Sequence, residues 1–468
     1  MISPTIAAPQ RMTTQICEER FHIPVCAGHA GILDYLAQAV IASLSPGADA
    51  IRFVVSATED SHYHAEVGAV KRPSDHRPAG CIFQFRRRRR THEAQFNAVL
   101  LIPTGIGAEI GGHAGDATPV ARLLSGACDN LVLHPNVVNA SDINEMPGNS
   151  LYVEGSVITR LLMGTVGIKK TRSNRVLLII DAHDDEDFVS AAINSANAAR
   201  ASAGSNVVRV IKLDPPVELT AAYSESGRAT GTIGGLDRVL AVIDEFRHEI
   251  DAVAISSVIR VPESYHMDYF RCEGDMLNPW GGVEALLTHT ISTLTNLPTA
   301  HSPMFEAEWV ANLKPGVVDA RMAAEAVSFT FLQCILKGLQ RSPQVVPNPE
   351  IGHIPGLLTA EDISCLVIPD GCLGLPTLAA LEQGIPVIAV EENTNIMKND
   401  LAVLPWQPGQ FFKVTTYLEA VGVMTALKEG VPVDALKRPL RNVPVELRTF
   451  RPIAPTLTRS RAAAAIKR

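Results

Sequence analysis

Short runs of Val, Ile and Leu with no polar residue inside them recur from residue 97 onward, and they restrict the fold more than any other feature. Val176-Leu177-Leu178-Ile179-Ile180-Asp181 is the clearest. A strand with one wet face alternates apolar and polar residues, so an unbroken run means burial on both faces, as in a parallel sheet covered by helices. Residues 98–102, 131–134, 207–213, 252–258, 365–369 and 387–390 are further strand candidates, near-continuous in Val, Ile and Leu, though 207–213 holds Arg209 and Lys212 and 252–258 holds two serines. Helical stretches at 188–203, 236–247, 282–295, 321–338 and 377–383 lie between them. The expected fold is α/β, with mostly parallel sheets flanked by helices in Rossmann-like layers.

With 468 residues the chain has room for two or three domains. Residues 1–17 read as a flexible lead-in. Residues 18–96 form a small α+β module, with a strand at 21–25, a helix at 30–44 and strands at 51–55, 62–70 and 81–85. The main α/β domain spans 97–341. A polar, proline-bearing stretch at 342–355 precedes a C-terminal βαβ unit at 356–440, and 441–468 is an irregular tail.

The sharpest motif is Pro103-Thr104-Gly105-Ile106-Gly107-Ala108-Glu109-Ile110-Gly111-Gly112-His113-Ala114-Gly115-Asp116, between a buried strand and a helix over 119–124. Its glycines allow backbone N–H groups to approach a ligand, and a helix N-terminus behind them favours negative charge. The spacing is neither that of a dinucleotide fingerprint nor that of a P-loop. Gly105, Gly107, Gly111, Gly112, His113 and Asp116 are therefore candidate ligand-binding residues for an anion, against a tight structural crossover.

A net charge of −8 gives no bulk attraction to nucleic acid. No window is apolar enough to span a membrane, and the N-terminus lacks a basic region followed by an apolar one. The expectation is a cytoplasmic protein with no membrane or nucleic-acid partner, for which a homo-oligomer is compatible. Eight scattered cysteines without a CxxC pair read as reduced thiols. The run Arg86-Arg87-Arg88-Arg89-Arg90 reads as a solvated edge before it reads as a phosphate contact.

Polar residues at strand ends supply the candidate chemistry, because ligands of open parallel sheets gather beyond the carboxyl ends of the strands. His134, Asn136 and Asn139 follow one strand and Glu154 follows the next segment, offering polar contacts or proton transfer. The stretch Asp181-Ala182-His183-Asp184-Asp185-Glu186-Asp187 has the oxygen ligands of a metal site, yet it opens a helix. Capping accounts for it, so no metal is assigned. His301 sits in a loop stiffened by Pro298 and Pro303. His289 follows Glu284 by five residues, which offsets the two on their helix. Cys372 lies in a glycine-rich turn at a helix N-terminus, a setting that favours a thiolate nucleophile. Gly374, Thr377 and Glu391 complete the candidate ligand contacts of the C-terminal unit.

Gly374, Thr377, Glu382 and Gly384-Ile385-Pro386-Val387 resemble, over about twenty residues, the donor-nucleotide motif of two-domain glycosyltransferases, without the usual adjacent glycines. A wider resemblance rests on 103–116, 134–140, 151–155, 281–289, 300–303 and 368–393. Together these are similar to a bacterial and cyanobacterial family catalogued as domain of unknown function 3326, over roughly residues 97–435. The module before residue 97 resembles the N-terminal portion of its longer members. The resemblance implies an intracellular α/β protein and brings no reaction, catalytic residue or cofactor. The residues themselves favour an enzyme acting on a small anionic metabolite, carboxylate or phosphate, with Cys372, His301, His134 and Glu154 as its catalytic candidates and its cofactor unknown. A nucleotide-sugar transferase and a non-catalytic sensor or scaffold are the alternatives.

Overall fold

The computed structural model describes residues 14–26, 28, 31–72, 81–138, 146–272, 275–328, 331–347 and 354–450. Two largely parallel sheets carry the architecture. In the first, all six strands are parallel, in the order Phe411–Val414, Val387–Val390, Ile363–Pro369, Asn97–Leu100, Asn130–Leu133, Ser150–Tyr152. Ile363–Pro369 pairs directly with Asn97–Leu100, so the C-terminal segment completes the sheet that 97–152 begins. In the second, Ala252–Arg260 pairs in parallel with Val176–Asp181, Thr299–Met304 and Glu218–Tyr223. Val207–Leu213 lies beyond Val176–Asp181, and Ala229–Gly234 closes the far side as an antiparallel hairpin with Glu218–Tyr223. The α/β class and the mostly parallel strands expected from the apolar runs are thus borne out.

The N-terminal module is an antiparallel sheet of Gln15–Pro24, His62–Lys71 and Ala48–Glu59 with helix Ile32–Ser43. Leu373–Gly374 adds to it beside Val55 and Val54. The strand expected at 81–85 is a turn. Ile82 and Phe83 are buried as a plug, with Phe83 edge-on to Phe53 at 5.3 Å between ring centroids. A buried ion network joins the module to the second sheet. Arg228 Nε donates to Glu66 Oε2 at 2.8 Å, its Nη2 also reaches Glu18, and Glu18 accepts from Arg52 Nη2 at 2.5 Å.

The helix expected over 321–338 breaks at Ser328, whose backbone is extended, into Ala323–Val327 and Phe331–Arg341. The break leaves Glu325 bonded to the Ala114 N–H, the Tyr269 hydroxyl and Asn278 Nδ2. The arginine run is a strap across the end of helix Leu375–Gln383. Arg88 donates to the carbonyls of Gln383 (2.7 Å), Gly384 (2.8 Å) and Ile363 (3.2 Å), placing a cation where helix carbonyls lack partners. Arg87 pairs with Glu382 at 2.9 Å. The acidic stretch after Asp181 behaves as capping predicts, with Asp185 accepting the Asp187 N–H of helix Glu186–Ala203 at 2.9 Å. No single helix among the described residues is long and apolar enough to cross a membrane.

Candidate functional site

The carboxyl ends of strands from both sheets meet at a cavity of about 230 Å3. Thr104 follows Asn97–Leu100, His134 follows Asn130–Leu133, Glu154 follows Ser150–Tyr152, and Ile259 and Met304 end strands of the second sheet. Facing strand ends are where a two-sheet α/β protein can surround a small ligand. Gly105, Gly112, His113, His134, Glu154 and His301 from the sequence reading all line this cavity.

His301 is in strand Thr299–Met304, not the loop expected from its prolines, and pairing with Ala252–Arg260 fixes its register opposite Ile255. Its Nδ1 lies 2.7 Å from Glu284 Oε1 and its Nε2 lies 2.7 Å from Ser257 Oγ. With Nδ1 protonated, Ser257 donates to Nε2 and Nδ1 donates to Glu284, so every group is satisfied. The order of atoms is that of a Ser–His–carboxylate triad, but accessibility runs the other way. Ser257 is fully buried, the His301 side chain is 1% exposed, and Glu284 is 22% exposed and lines the cavity. Glu284 is therefore the member of this chain most open to the cavity, and His301, backed by Ser257, holds it. Helix Gly281–Thr295 positions Glu284 in its first turn, with Asn278 Oδ1 accepting the Trp280 and Gly281 N–H groups.

The second constellation is Glu154, His289 and His134. Glu154 caps helix Gly155–Leu162 by accepting the Ser156 N–H at 2.9 Å, and its Oε1 lies 2.5 Å from His289 Nδ1. Burial pushes its carboxyl up, but His289 and Ser156 outweigh that and hold it at about 2, so it is ionised at neutral pH. Burial, with His289 beside it, lowers His134 to about 4. Gly155 is what lets the rings in: a Cβ there would sit 2.8 Å from His289 Cε1 and 3.0 Å from His134 Nε2. Glu284 and His289 thus leave one helix toward different partners, as their offset predicts.

The third is His113, Tyr269 and Glu325. His113 Nδ1 is 2.7 Å from the Tyr269 hydroxyl, which donates to Glu325 at 2.6 Å. Burial raises the Glu325 carboxyl and lowers His113 to about 4. Across the cavity, His266 Nε2 has no hydrogen-bond partner among the described residues, and its nearest carboxylate oxygen, Glu306 Oε2, is 3.6 Å away. Among the described residues the lining has four glutamates and four histidines but no Lys or Arg. No group of three or more His, Cys, Asp or Glu side chains among the described residues is arranged to hold a metal ion.

The glycine-rich loop is a wall of this cavity, and four of its N–H groups are spent within the protein. Glu109, Ile110, Gly111 and Ala114 donate to Thr394 O, Asn393 Oδ1, Asp116 Oδ1 and Glu325 Oε1, each at 2.9 Å. Asp116, which accepts the Gly111 N–H, is a carboxyl of the loop itself, and burial raises it to about 7. Gly105, at φ +78°, allows its carbonyl to accept the Ala229 N–H, and a Cβ there would meet Ala229 O at 2.8 Å. Gly107 packs on Leu277 and Gly111 on Ile102. At Gly105, Gly107 and Gly111 the close approach is made by Ala229, Leu277 and Ile102 of the protein itself, while Gly105 and Gly112 also line the cavity.

A second cavity of about 130 Å3 shares Thr104, His134 and Ala285 with the first and holds Cys372, Gly374 and Thr377. Burial pushes the Cys372 thiol well up, so the helix N-terminus does not yield the thiolate expected of it. Thr377 spends its hydroxyl on Cys372 O at 2.7 Å. Glu382, engaged with Arg87, is at the opposite end of the helix from Gly374, so the transferase-like motif is not gathered at one place. Glu391 is exposed and paired with Lys413 at 3.1 Å, away from both cavities. Asn139 lies outside the described residues, as does the side chain of Asn136. Sequence reading missed Ser257, Glu306 and Glu325 altogether. Glu284 carried a signal, being an acid in the first turn after Trp280-Gly281-Gly282.

An uncharacterised lipoprotein of Synechococcus sp. is 33% identical over 350 residues, 72% of this chain and 92% of the relative. Its description as a lipoprotein overturns the expectation of a cytoplasmic protein, which is withdrawn. No solved structure matches the chain. The profile of the family described as protein of unknown function DUF3326 matches residues 97–437, which takes in both parallel sheets and every cavity residue named above, and the chain belongs to that family.

Proposed function

We propose that the chain is an enzyme that performs general acid–base chemistry on a small molecule bound between the two sheets. Glu284 is the proton-transferring group, His301 and Ser257 position it, and Glu154 with His289 and His134 forms the facing polar wall. The observation that carries this reading is the Ser257–His301–Glu284 chain, buried at one end and open to the cavity at the other. A carboxylate held at one oxygen by an imidazole keeps the other oxygen aimed at a substrate, which is the positioning that acid–base catalysis needs. An anionic group on the substrate would have to face the second cavity, where Arg52, Arg160 and Arg228 lie, each already engaged by acceptors of the protein.

The test is consumption of metabolites. The purified protein and Glu284→Gln are each incubated with a broad metabolite panel, and depletion is followed by mass spectrometry. Wild type should consume a compound that Glu284→Gln consumes about a hundred- to ten-thousandfold more slowly. A compound that raises the wild-type unfolding temperature yet stays intact in its presence would favour the non-catalytic binding protein instead.

A further inference from the structure

We propose that the larger cavity takes a protonated amine on an apolar body. The lining offers Glu154, Glu284, Glu306 and Glu325 and, among its described residues, neither Lys nor Arg. Burial disfavours the charged form of three of its four histidines, His113, His134 and His266. A carboxylate or phosphate entering here would lose its hydration and find no cation in return. An ammonium would find the opposite.

Two further features converge on the same chemistry. The apolar part of the wall is rich in π faces, with Phe270, Trp280, Phe305 and Phe331 in the lining. Trp280 stands 5.8 Å from the His266 ring and 5.2 Å, edge to face, from Tyr269. Faces of this kind attract a cation as well as an apolar body. The side chain of His266 is 6% exposed, and its Nε2 and Glu306 Oε2, 3.6 Å apart, are within ion-pair range but beyond a hydrogen bond. With Nδ1 protonated, Nε2 is an acceptor. An ammonium N–H group set between the two atoms gives both a partner, ending the cost of an unsatisfied buried nitrogen.

This proposal rests on the reading of the cavity as the ligand site. Calorimetric titration of the whole chain at pH 7 with three probes of matched shape tests it: 2-phenylethylammonium, neutral 2-phenylethanol and anionic 3-phenylpropanoate. The ammonium should bind about tenfold or more tightly than the alcohol, the carboxylate most weakly, from Coulomb attraction at a few ångströms in a partly screened site. Glu306→Gln, at a half-exposed position that tolerates the change, should weaken the ammonium about tenfold, while Glu391→Gln on the surface should not. Equal or tighter binding of the carboxylate, an effect of Glu306→Gln below twofold, or no ammonium binding at millimolar concentration overturns the proposal. Turnover of a metabolite that carries no amine, lost in Glu284→Gln, would sink this proposal and spare the acid–base reading. Ammonium binding without turnover of any amine would do the reverse.

Discussion

Replacing Arg228 with Met should expose what fastens the N-terminal module to the second sheet. The Arg228 side chain is 3% exposed and serves two carboxylates at once, Glu66 and Glu18. Met keeps the apolar stem and most of the volume, so the loss is one of charge. Glu18 retains Arg52 at 2.5 Å, whereas Glu66, 4% exposed, retains the Ser224 hydroxyl at 3.1 Å. Stranding one member of a buried ion pair costs about 3–5 kcal/mol. The deficit should also depend on pH. Burial pushes the Glu18 carboxyl up, but Arg52 and Arg228 outweigh it and hold it at about 2, against an ordinary value of 4.5. A depressed carboxylate contributes stability that is complete above its unfolded value and lost as pH falls through its folded value. The gap between wild type and Arg228→Met should therefore be widest at pH 7 and narrow between about 4.5 and 2, where the wild type loses what the variant already lacks. Urea midpoints by circular dichroism at pH 7 and pH 3.5 measure this, provided the slopes agree. Adding Glu66→Leu removes the stranded charge and should restore at least half of the loss. A deficit below about 1 kcal/mol at pH 7, or a double variant no more stable than the single one, would refute the reasoning.

Ser257→Ala should cost less than about tenfold in turnover of any substrate that Glu284→Gln abolishes, because Ser257 acts through His301; an equal loss would make the serine the reacting group. Cys372 should resist iodoacetamide in the folded protein while exposed Cys81 reacts, and Cys372→Ser should leave turnover within a few fold; prompt labelling of Cys372 would show that burial does not suppress its thiolate. Gly155→Ala should displace the His134 and His289 rings and weaken ligand binding at least tenfold. Its stability should change by no more than about 2 kcal/mol, since the helix preference of Ala offsets part of the clash, and unchanged binding would remove the rings from the site.

What the sequence revealed and what it hid have physical causes. Unbroken runs such as Val176–Asp181 announce parallel strands because burial on both faces leaves no polar option. His134, Glu154 and His301 stood out because a polar residue where such a run ends needs a reason. The register that sets His301 against Ser257, and the turn of chain that brings Glu284 to it, depend on strand pairing between segments more than forty residues apart. No local pattern encodes that. A helix period continued through Ser328 because periodicity reports which face is apolar, whereas the break goes with a bond between Glu325 and a loop 211 positions earlier. Ile82 and Phe83 looked like strand because burial, not pairing, selects apolar residues. At Gly105 the sequence required a close approach, and only the fold could say to what.

The order of strands in the first sheet carries a consequence for biosynthesis. Asn97–Leu100 lies between Asn130–Leu133 and Ile363–Pro369, and Ile363–Pro369 leaves the ribosome more than 260 residues after Asn97–Leu100. At roughly 5–20 residues per second that is about 13–50 s during which one edge of a buried strand has no neighbour. An uncovered edge of this kind is a template for pairing with other chains. The second sheet, drawn from residues 176–304, has all its strands in hand well before then. Of the two parallel sheets, the one begun first is completed last.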